Sequence, residues 1–469
     1  MRKIPFLFSL NFLYVLMIAA ETAAIVFLCL YLPYALPVAA ALTGIWVLNL
    51  VAIALISARR GSPEINCALA LFVTALPVAG AVVYFFAASG KRRKIRLEIK
   101  NAKPQSGLER AALSHGGGCG AGYEKAVYFK NGEDYFNALF REIENAKKRV
   151  CLEYFIISRG RIFAELFSAL QRARKNGAEI FIIIDGVGSA FRCGRKELKK
   201  LKSVGEVKIF HKLAPLPYSR LNFRDHRKIA TVDGKVAFTG GINIADEYAN
   251  IHSPHGYWKD CGIAIYGGAA EILEGMFFSV LRKKYVMDCP GGGNARCIAY
   301  GDCPPHSSGF CESLYAYAIA NAKQRVHITT PYFCVSEKLR TALCFAAARG
   351  VDVRVIIPHI PDKKYAFELS KANAGFLEKY GVRFYEFTPG FMHSKIMLCD
   401  DSLYIGSYNF DFRSMRLNYE CGVMIDGKPA ADAERDFWEC LRLSSPLNCK
   451  ASRMRSVYRF FLKLVAPLI

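Results

Sequence analysis

Hydrophobic positions along this chain fall into two regimes. Near the N-terminus three unbroken apolar stretches, Phe6 to Leu32, Leu36 to Ile56 and Ile65 to Ala88, each have the length of a helix that crosses about 30 Å of hydrocarbon. Pro33, Pro37 and the break Arg59-Arg60-Gly61-Ser62-Pro63 punctuate them. Met1-Arg2-Lys3 has the charge of a signal-peptide start, but Asn11, Glu21 and the two later stretches argue for a retained anchor of two or three spans. Lys91-Arg92-Arg93-Lys94 then marks a membrane–water boundary. Beyond it the pattern turns periodic. Asp134 to Lys148 repeats apolar side chains at helical spacing (Phe136, Leu139, Phe140, Ile143), and Val150 to Ile157 reads as a buried strand. A second helix, Phe163 to Lys175, is expected to stop at Gly177, and Ile180 to Ile184 is a strand closed by Asp185-Gly186. Such alternation predicts an α/β sandwich.

The same order comes round again. Asn145-Ala-Lys-Lys-Arg149-Val150 recurs as Asn321-Ala-Lys-Gln-Arg325-Val326, and Gly177-Ala-Glu-Ile as Gly350-Val-Asp-Val. The spacing between equivalents drifts, as it does when one fold unit occurs twice with loops of different length. The resulting domains are an anchor region 1–98, a flexible Gly-rich linker 99–123, a first half 124–288, a linker 289–309 and a second half 310–469. The second half ends in an amphipathic helix. Arg455, Arg459 and Lys463 share one face and Val457, Phe460, Phe461 and Leu464 form an apolar stripe, suited to a membrane interface or to packing on the domain.

Composition narrows the partners. Hydrophobic residues make up 52%, and 63 Lys+Arg against 40 Asp+Glu leave a net charge of +23. That balance fits lipid headgroups or nucleic acid; with apolar spans present, anionic membrane lipids are expected and nucleic acid is not. The 16 Cys include no C-x-x-C pair, and Cys289, Cys297, Cys303 and Cys311 lack zinc-site spacing, so no metal is expected. Unpaired thiols in such number favour a reducing compartment, hence a multi-pass protein of the cell membrane with its catalytic part on the cytoplasmic face.

Candidate chemistry sits at equivalent places of the repeat. His226-Arg-Lys228-Ile-Ala-Thr-Val-Asp233 and His393-Ser-Lys395-Ile-Met-Leu-Cys-Asp400 both spell H-x-K-x4-D, and each runs into a Gly-rich turn ending in Asn243 or Asn409. His and Lys two apart on a strand point to one face. Two histidines and two lysines without a carboxylate cluster point to phosphoryl chemistry that uses neither metal nor other cofactor. One imidazole can attack phosphorus while the other, protonated, expels the leaving alcohol.

These motifs, with Arg224-Asp-His226, Thr239-Gly-Gly-Ile-Asn243-Ile-Ala-Asp-Glu247-Tyr248, Tyr257-Trp258-Lys-Asp260, Thr330-Pro331-Tyr332-Phe333, Phe391-Met-His393-Ser-Lys395 and Asn409-Phe-Asp411-Phe-Arg413-Ser414 followed by Asn418-Tyr-Glu420, resemble the phospholipase D superfamily and, within it, the bacterial cardiolipin synthases. The resemblance covers roughly residues 50 to 469. It implies a duplicated α/β sandwich of pseudo-twofold symmetry, preceded by transmembrane helices, with both motifs at the interface. It further implies a phosphatidyltransferase that joins two phosphatidylglycerols into cardiolipin and glycerol, with hydrolysis to phosphatidic acid or another acceptor as the alternative. The catalytic set is then His226, Lys228, Asp233, His393, Lys395 and Asp400. His226 is assigned as nucleophile and His393 as acid, then base, the reverse remaining open. Asn243 and Asn409, beside the lysines, would hold phosphate oxygens, and Asp260 and Glu420 would orient the histidines, across the interface or within a half. Asp233 and Asp400 suit bracing a turn better than touching substrate. Lys259 stands where the subgroup often carries Arg, keeping charge without the bidentate fork. Cys399 is expected to pack as a small hydrophobe.

Overall fold

In the computed structural model, residues 36–58, 63–76, 98–100, 106–114, 118–212, 223–281, 286–288, 295–302 and 309–468 are described, with a few isolated positions between them. The chain divides into one unit of Met1–Arg92, Leu213–Asn222 and Lys463–Ile469, and a second of Arg93–Lys212 and Phe223–Leu462.

In the first unit, helix α1 (Leu36–Ser57) is 22 residues without a charge, and α2 (Pro63–Ala75) covers 13. Ala52 and Ile56 of α1 pack with Leu69 and Val73 of α2 and with Tyr84. Apart from the isolated positions Ala23 and Phe27, the first expected span, Phe6 to Leu32, lies outside the described residues, as does the basic run Lys91 to Lys94. The side chains of α1 are described continuously from Thr43, and over the described residues no helix is long and apolar enough to cross a membrane.

The second unit is built on two large sheets. The first is built from β2 (Lys125–Phe129), β3 (Arg149–Tyr154), β4 (Glu179–Asp185), β5 (Glu206–Phe210), β6 (Lys228–Val232), β7 (Val236–Gly240) and β9 (Gly262–Tyr266), in the order β2-β9-β7-β6-β3-β4-β5. The second is built from β1 (Gly118–Tyr123), β10 (Ala295–Asp302), β11 (Arg325–Thr329), β12 (Asp352–Pro358), β13 (Arg383–Phe387), β15 (Ile396–Cys399), β16 (Ser402–Gly406), β17 (Glu420–Ile425) and β18 (Ser444–Pro446), in the order β1-β10-β17-β16-β15-β11-β12-β13-β18. Laid side by side, β2-β9-β7-β6-β3-β4-β5 and β10-β17-β16-β15-β11-β12-β13 match in order. They match in direction too: β3–β4 and β11–β12 are parallel, and β6–β7 and β15–β16 are antiparallel hairpins. Two short strands, β8 (Tyr257–Lys259) and β14 (Gly390–Met392), pair in parallel and join the halves.

Local sequence explains these elements. Helix α3 (Gly132–Glu144) begins where the Asn131 side chain accepts the Asp134 N–H at 2.8 Å, and it buries Tyr135, Phe136, Leu139, Phe140 and Ile143 along one stripe. Helix α4 (Arg161–Lys175) ends before Gly177, whose φ of +91° is the left-handed region glycine favours. Along β9 the faces alternate: Ala264 joins the core under α3 and α4, while Ile263 and Ile265 join a second core. Into that second core α5 (Gly268–Leu281) sends Ile272 and Leu273. Helix α6 (Lys364–Leu377) instead buries Ala374 and Leu377 in the core of the second half. The second core also holds Ile396, Leu403 and Val423 of the other sheet, together with Ala433 and Phe437 of α7 (Lys428–Arg442). The halves therefore share one apolar interior, and the motif strands β6 and β15 both border it.

Both linkers expected from the sequence contain sheet strands. The Gly-rich stretch before residue 123 forms β1, paired with β10, and β10 in turn occupies most of the described part of the linker 289–309. A Cβ on Gly120 would lie 2.2 Å from the Glu109 carboxyl, so glycine here permits close packing where composition suggests slack.

Candidate active site

Each motif histidine is delivered by a short strap just before its strand. Asp185 fastens the first strap, taking the Arg224 guanidinium at 2.8 Å and the Asp225 N–H at 3.0 Å, both groups being buried. The strap also borrows backbone from the other half: His226 N–H donates to the Tyr419 carbonyl at 2.9 Å. His393 N–H donates in the same way to the Lys259 carbonyl at 2.7 Å. Tyr419 and Lys259 each immediately precede a carboxylate, Glu420 and Asp260. Consequently each histidine meets the carboxylate of the opposite half. His226 Nδ1 lies 3.0 Å from both Glu420 oxygens, and His393 Nδ1 lies 2.5 Å from Asp260 Oδ2. With Nδ1–H donating to the carboxylate, Nε2 of each ring carries the lone pair.

The lysines complete a compact, buried charge cluster. Lys228 Nζ donates to the His226 carbonyl and Lys395 Nζ to the His393 carbonyl, each at 2.5 Å, and Lys395 Nζ is 3.3 Å from His393 Nε2. Burial, reinforced by Lys228 and Lys395, holds the His226 imidazole well below its ordinary range. Burial, then Lys395, Lys228 and His226, does the same to His393. Each imidazole thus feels lysine charge from both halves, which places the four groups in one electrostatic environment. Burial lowers Lys228 to about 7 against the pull of Glu420, and it lowers Lys395 as well. The carboxylates move up through burial, Asp260 to about 6 and Glu420 to about 7, with Lys395 and Lys228 respectively opposing. An anion seated among these cations would restore their charge.

The remaining candidates divide. Asn243 Oδ1 accepts the Ile156 N–H at 3.0 Å and its Nδ2 donates to the Tyr248 hydroxyl at 2.6 Å, whereas Asn409 Oδ1 is buried without a hydrogen-bond partner among the described residues. Asp233 and Asp400 sit at the far ends of the motif strands, in hairpin turns with φ of 55° and 49°. Asp233 accepts the N–H groups of Lys147, Lys148 and Arg149 at 2.7–2.9 Å, and Asp400 those of Lys323, Gln324 and Arg325 at 2.8–3.1 Å. Burial works against both charges, but the three backbone donors outweigh it and hold each carboxyl below its usual range. These aspartates stand about 16 Å along the strand from the lysines and anchor the hairpin to the start of β3 or β11.

Lys259 faces away from the histidines. Burial works against its charge, but Asp436 in α7, with Oδ2 2.7 Å from the Lys259 Nζ, outweighs burial and raises its affinity for a proton. Cys399 is buried in the core of the second half, its thiol pushed up by burial. Sequence reading gives no role to two nearby charges, Lys363 and Asp411, which act on His226 in opposite directions. Asp411 has a detectable signature, since its counterpart two residues after Asn243 is Ala245. Lys363 lies in a loop without a motif.

Residues 139–252 and 315–441 match the family model described as cardiolipin synthase, PLD-like domain. A cardiolipin synthase of Geobacillus sp. (strain WCH70) is 32% identical over 72% of this chain and 71% of its own. The chain belongs to this family. An uncharacterized protein of Streptococcus mutans serotype c is 35% identical, over 74% of this chain and 78% of its own. Among solved structures, the phosphatidylserine synthase of Haemophilus influenzae Rd KW20 matches with a TM-score of 0.56 at 13% identity, over 78% of this chain and all of its own, a likeness of fold. Each matched segment contains one complete H-x-K-x4-D motif, His226 to Asp233 in the first and His393 to Asp400 in the second.

Proposed function

We propose that the chain is a membrane-anchored cardiolipin synthase, a phosphatidyltransferase that moves the phosphatidyl group of one phosphatidylglycerol onto a hydroxyl of another. The crossed pairing of His226 with Glu420 and His393 with Asp260 is the observation that carries this reading. It prepares two imidazoles, each with its tautomer fixed by an acid from the opposite half, around a buried pair of lysines. His226 Nε2 attacks phosphorus, and His393, which takes up a proton once the anionic phosphate is seated beside it, gives that proton to the departing glycerol oxygen. The phosphatidyl group then rests on His226 as a phosphoramidate. His393, now neutral, takes the proton of the incoming lipid hydroxyl, the P–N bond breaks, and cardiolipin leaves. Lys228 and Lys395 neutralise the non-bridging oxygens as charge builds in the transition state. Asn409, with its open buried carbonyl and an amide beside it, is the better placed of the two asparagines to meet substrate, while Asn243 fixes the wall.

Anchoring rests on α1. Trp46, Val47, Leu50, Val51 and Leu55 are exposed, as lipid-facing side chains would be. Purified protein given phosphatidylglycerol in vesicles should release glycerol and form cardiolipin in equal amounts, and His226→Ala should form neither. Phosphatidic acid as the sole phospholipid product would replace transfer with hydrolysis.

A further inference from the structure

The C-terminal helix α8 (Arg453–Val465) is mounted inside out. A helix on a soluble domain buries its apolar stripe and exposes its charges. Here Met454, Val457, Tyr458 and Phe461, spaced i, i+3, i+4 and i+7, are exposed by 83%, 53%, 47% and 60%, and the flanking Phe460 by 58%. Among the described residues of the helix, the buried one is an arginine. Arg459 is only 8% exposed, with Nε donating to Glu368 at 2.8 Å and Nη1 to the Cys449 carbonyl at 2.8 Å, and Arg455 approaches the same Glu368 at 3.8 Å. Glu368 belongs to α6, about one turn from its first residue. Lys363, immediately before α6, is one of the charges acting on both catalytic histidines. The arginine clamp therefore fastens the outward-facing rings to the helix that starts at the rim of the site.

We propose that this face of α8 seats in the interfacial layer of a bilayer containing anionic lipid, and that it holds the site against the membrane from which the phospholipid substrate enters. The proposal rests on the lipid-substrate reading above and adds to it a named surface. Charge selects the occupant. The helix carries no acidic residue, and Arg453 and Arg455 border the apolar stripe, where headgroup phosphates would lie beside buried rings. A second copy of the chain is a poorer fit, because a twofold contact through this stripe would bring the same arginines of both copies together.

The test uses the full chain reconstituted in phosphatidylcholine–phosphatidylglycerol vesicles. Phe461→Trp adds one fluorophore to the native tryptophans, and wild type supplies the background. The added emission should be quenched by brominated acyl chains and protected from aqueous iodide. In parallel, Phe460→Glu with Phe461→Glu should lower turnover of vesicle phosphatidylglycerol about tenfold while leaving turnover of monomeric dihexanoyl-phosphatidylglycerol at the wild-type level. Phe460→Leu with Phe461→Leu should retain most of the wild-type rate on vesicles. Iodide quenching without lipid quenching overturns the proposal. So does an equal loss on both substrates, which would mark a structural role, or an added-tryptophan signal that follows crosslinking between copies. If the wild type turns over neither lipid and the added tryptophan is still quenched by lipid, the transferase reading fails and the membrane seat stands.

Discussion

His226 and His393 are reached by one backbone design, yet they end in different company. Each donates its N–H to a carbonyl of the other half and each meets that half's carboxylate. Around His393 the walls are aromatic: Tyr248, Trp258 and Phe391 place their ring centroids 5.3, 5.2 and 5.6 Å away. Around His226 one ring among the described residues, Phe155, lies at 5.1 Å, and Asp411 adds a charge that acts on it, while Lys363 acts on both histidines. Duplication thus kept what fixes the imidazoles and let the lining diverge. In the proposed reaction the His226 side holds the nucleophile, where phosphate charge arrives. The aromatic side is assigned the proton carrier, where a dry wall keeps water from competing for the proton.

The sharpest way to break that comparison is to remove each imidazole in turn. His226→Ala should lower transfer by about 10⁴-fold or more with any leaving group. His393→Ala should lose comparably with phosphatidylglycerol but recover most of the first step with a p-nitrophenyl phosphodiester, whose leaving group needs no proton. Recovery of both variants, or of neither, would erase the distinction, and a stopped-flow release assay reads it. Next in size are the crossed acids. Glu420→Gln and Asp260→Asn should each cost about 10²- to 10⁴-fold in kcat. A protonated His226 cannot attack, and burial with Lys228 and Lys395 lowers its affinity for a proton. The acid limb of kcat/KM in wild type should therefore fall below the ordinary imidazole value of about 6.5, and Glu420→Gln should move it lower still.

The asparagines should separate stability from turnover. Asn243→Ala leaves the Ile156 N–H without its acceptor and should cost about 1–3 kcal/mol in denaturant unfolding, whereas Asn409→Ala should leave the midpoint close to wild type and reduce kcat/KM. Smallest for chemistry are the turn aspartates. Asp233→Ala and Asp400→Ala should each destabilise by about 1–3 kcal/mol without altering the kcat of the folded fraction. Because both carboxyls titrate lower folded than unfolded, their contribution is fully present above about pH 4 and is lost as pH falls through the folded values. In the alanine variants that part of the acid-induced loss should disappear from melts followed between neutral and acid pH.

Much of this arrangement is legible in the sequence, and the exceptions have physical causes. The periodicities of Asp134 to Lys148 and Ile180 to Ile184 survive as α3 and β4 because local pattern and burial agree there. The repeat of Arg149-Val150 as Arg325-Val326 marks equivalent strands at the centres of equivalent sheets. β1 and β10 do not show in the pattern because Gly118-Cys119-Gly120 and the Gly/Pro-rich surroundings of Cys297 carry turn composition, while their pairing is set by partners far along the chain. The crossing of carboxylates between halves is likewise nonlocal: His226 and Glu420 lie 194 residues apart, and no spacing rule reaches that far. Lys259 illustrates the converse. Its charge is visible in the sequence, but its direction, toward Asp436 in α7, depends on a helix that packs only in the folded unit.

The most direct test of a shared phosphorus is to catch the group in transit. Protein carrying His393→Ala, mixed with an activated short-chain phosphatidyl ester and quenched in alkali, can be digested and mapped by tandem mass spectrometry. A phosphatidyl mass should appear on the peptide containing His226, and on that imidazole. Steady turnover by wild type with the adduct on another residue, or with none trapped at His226 in the variant, would contradict a phosphorus atom handed between the two histidines.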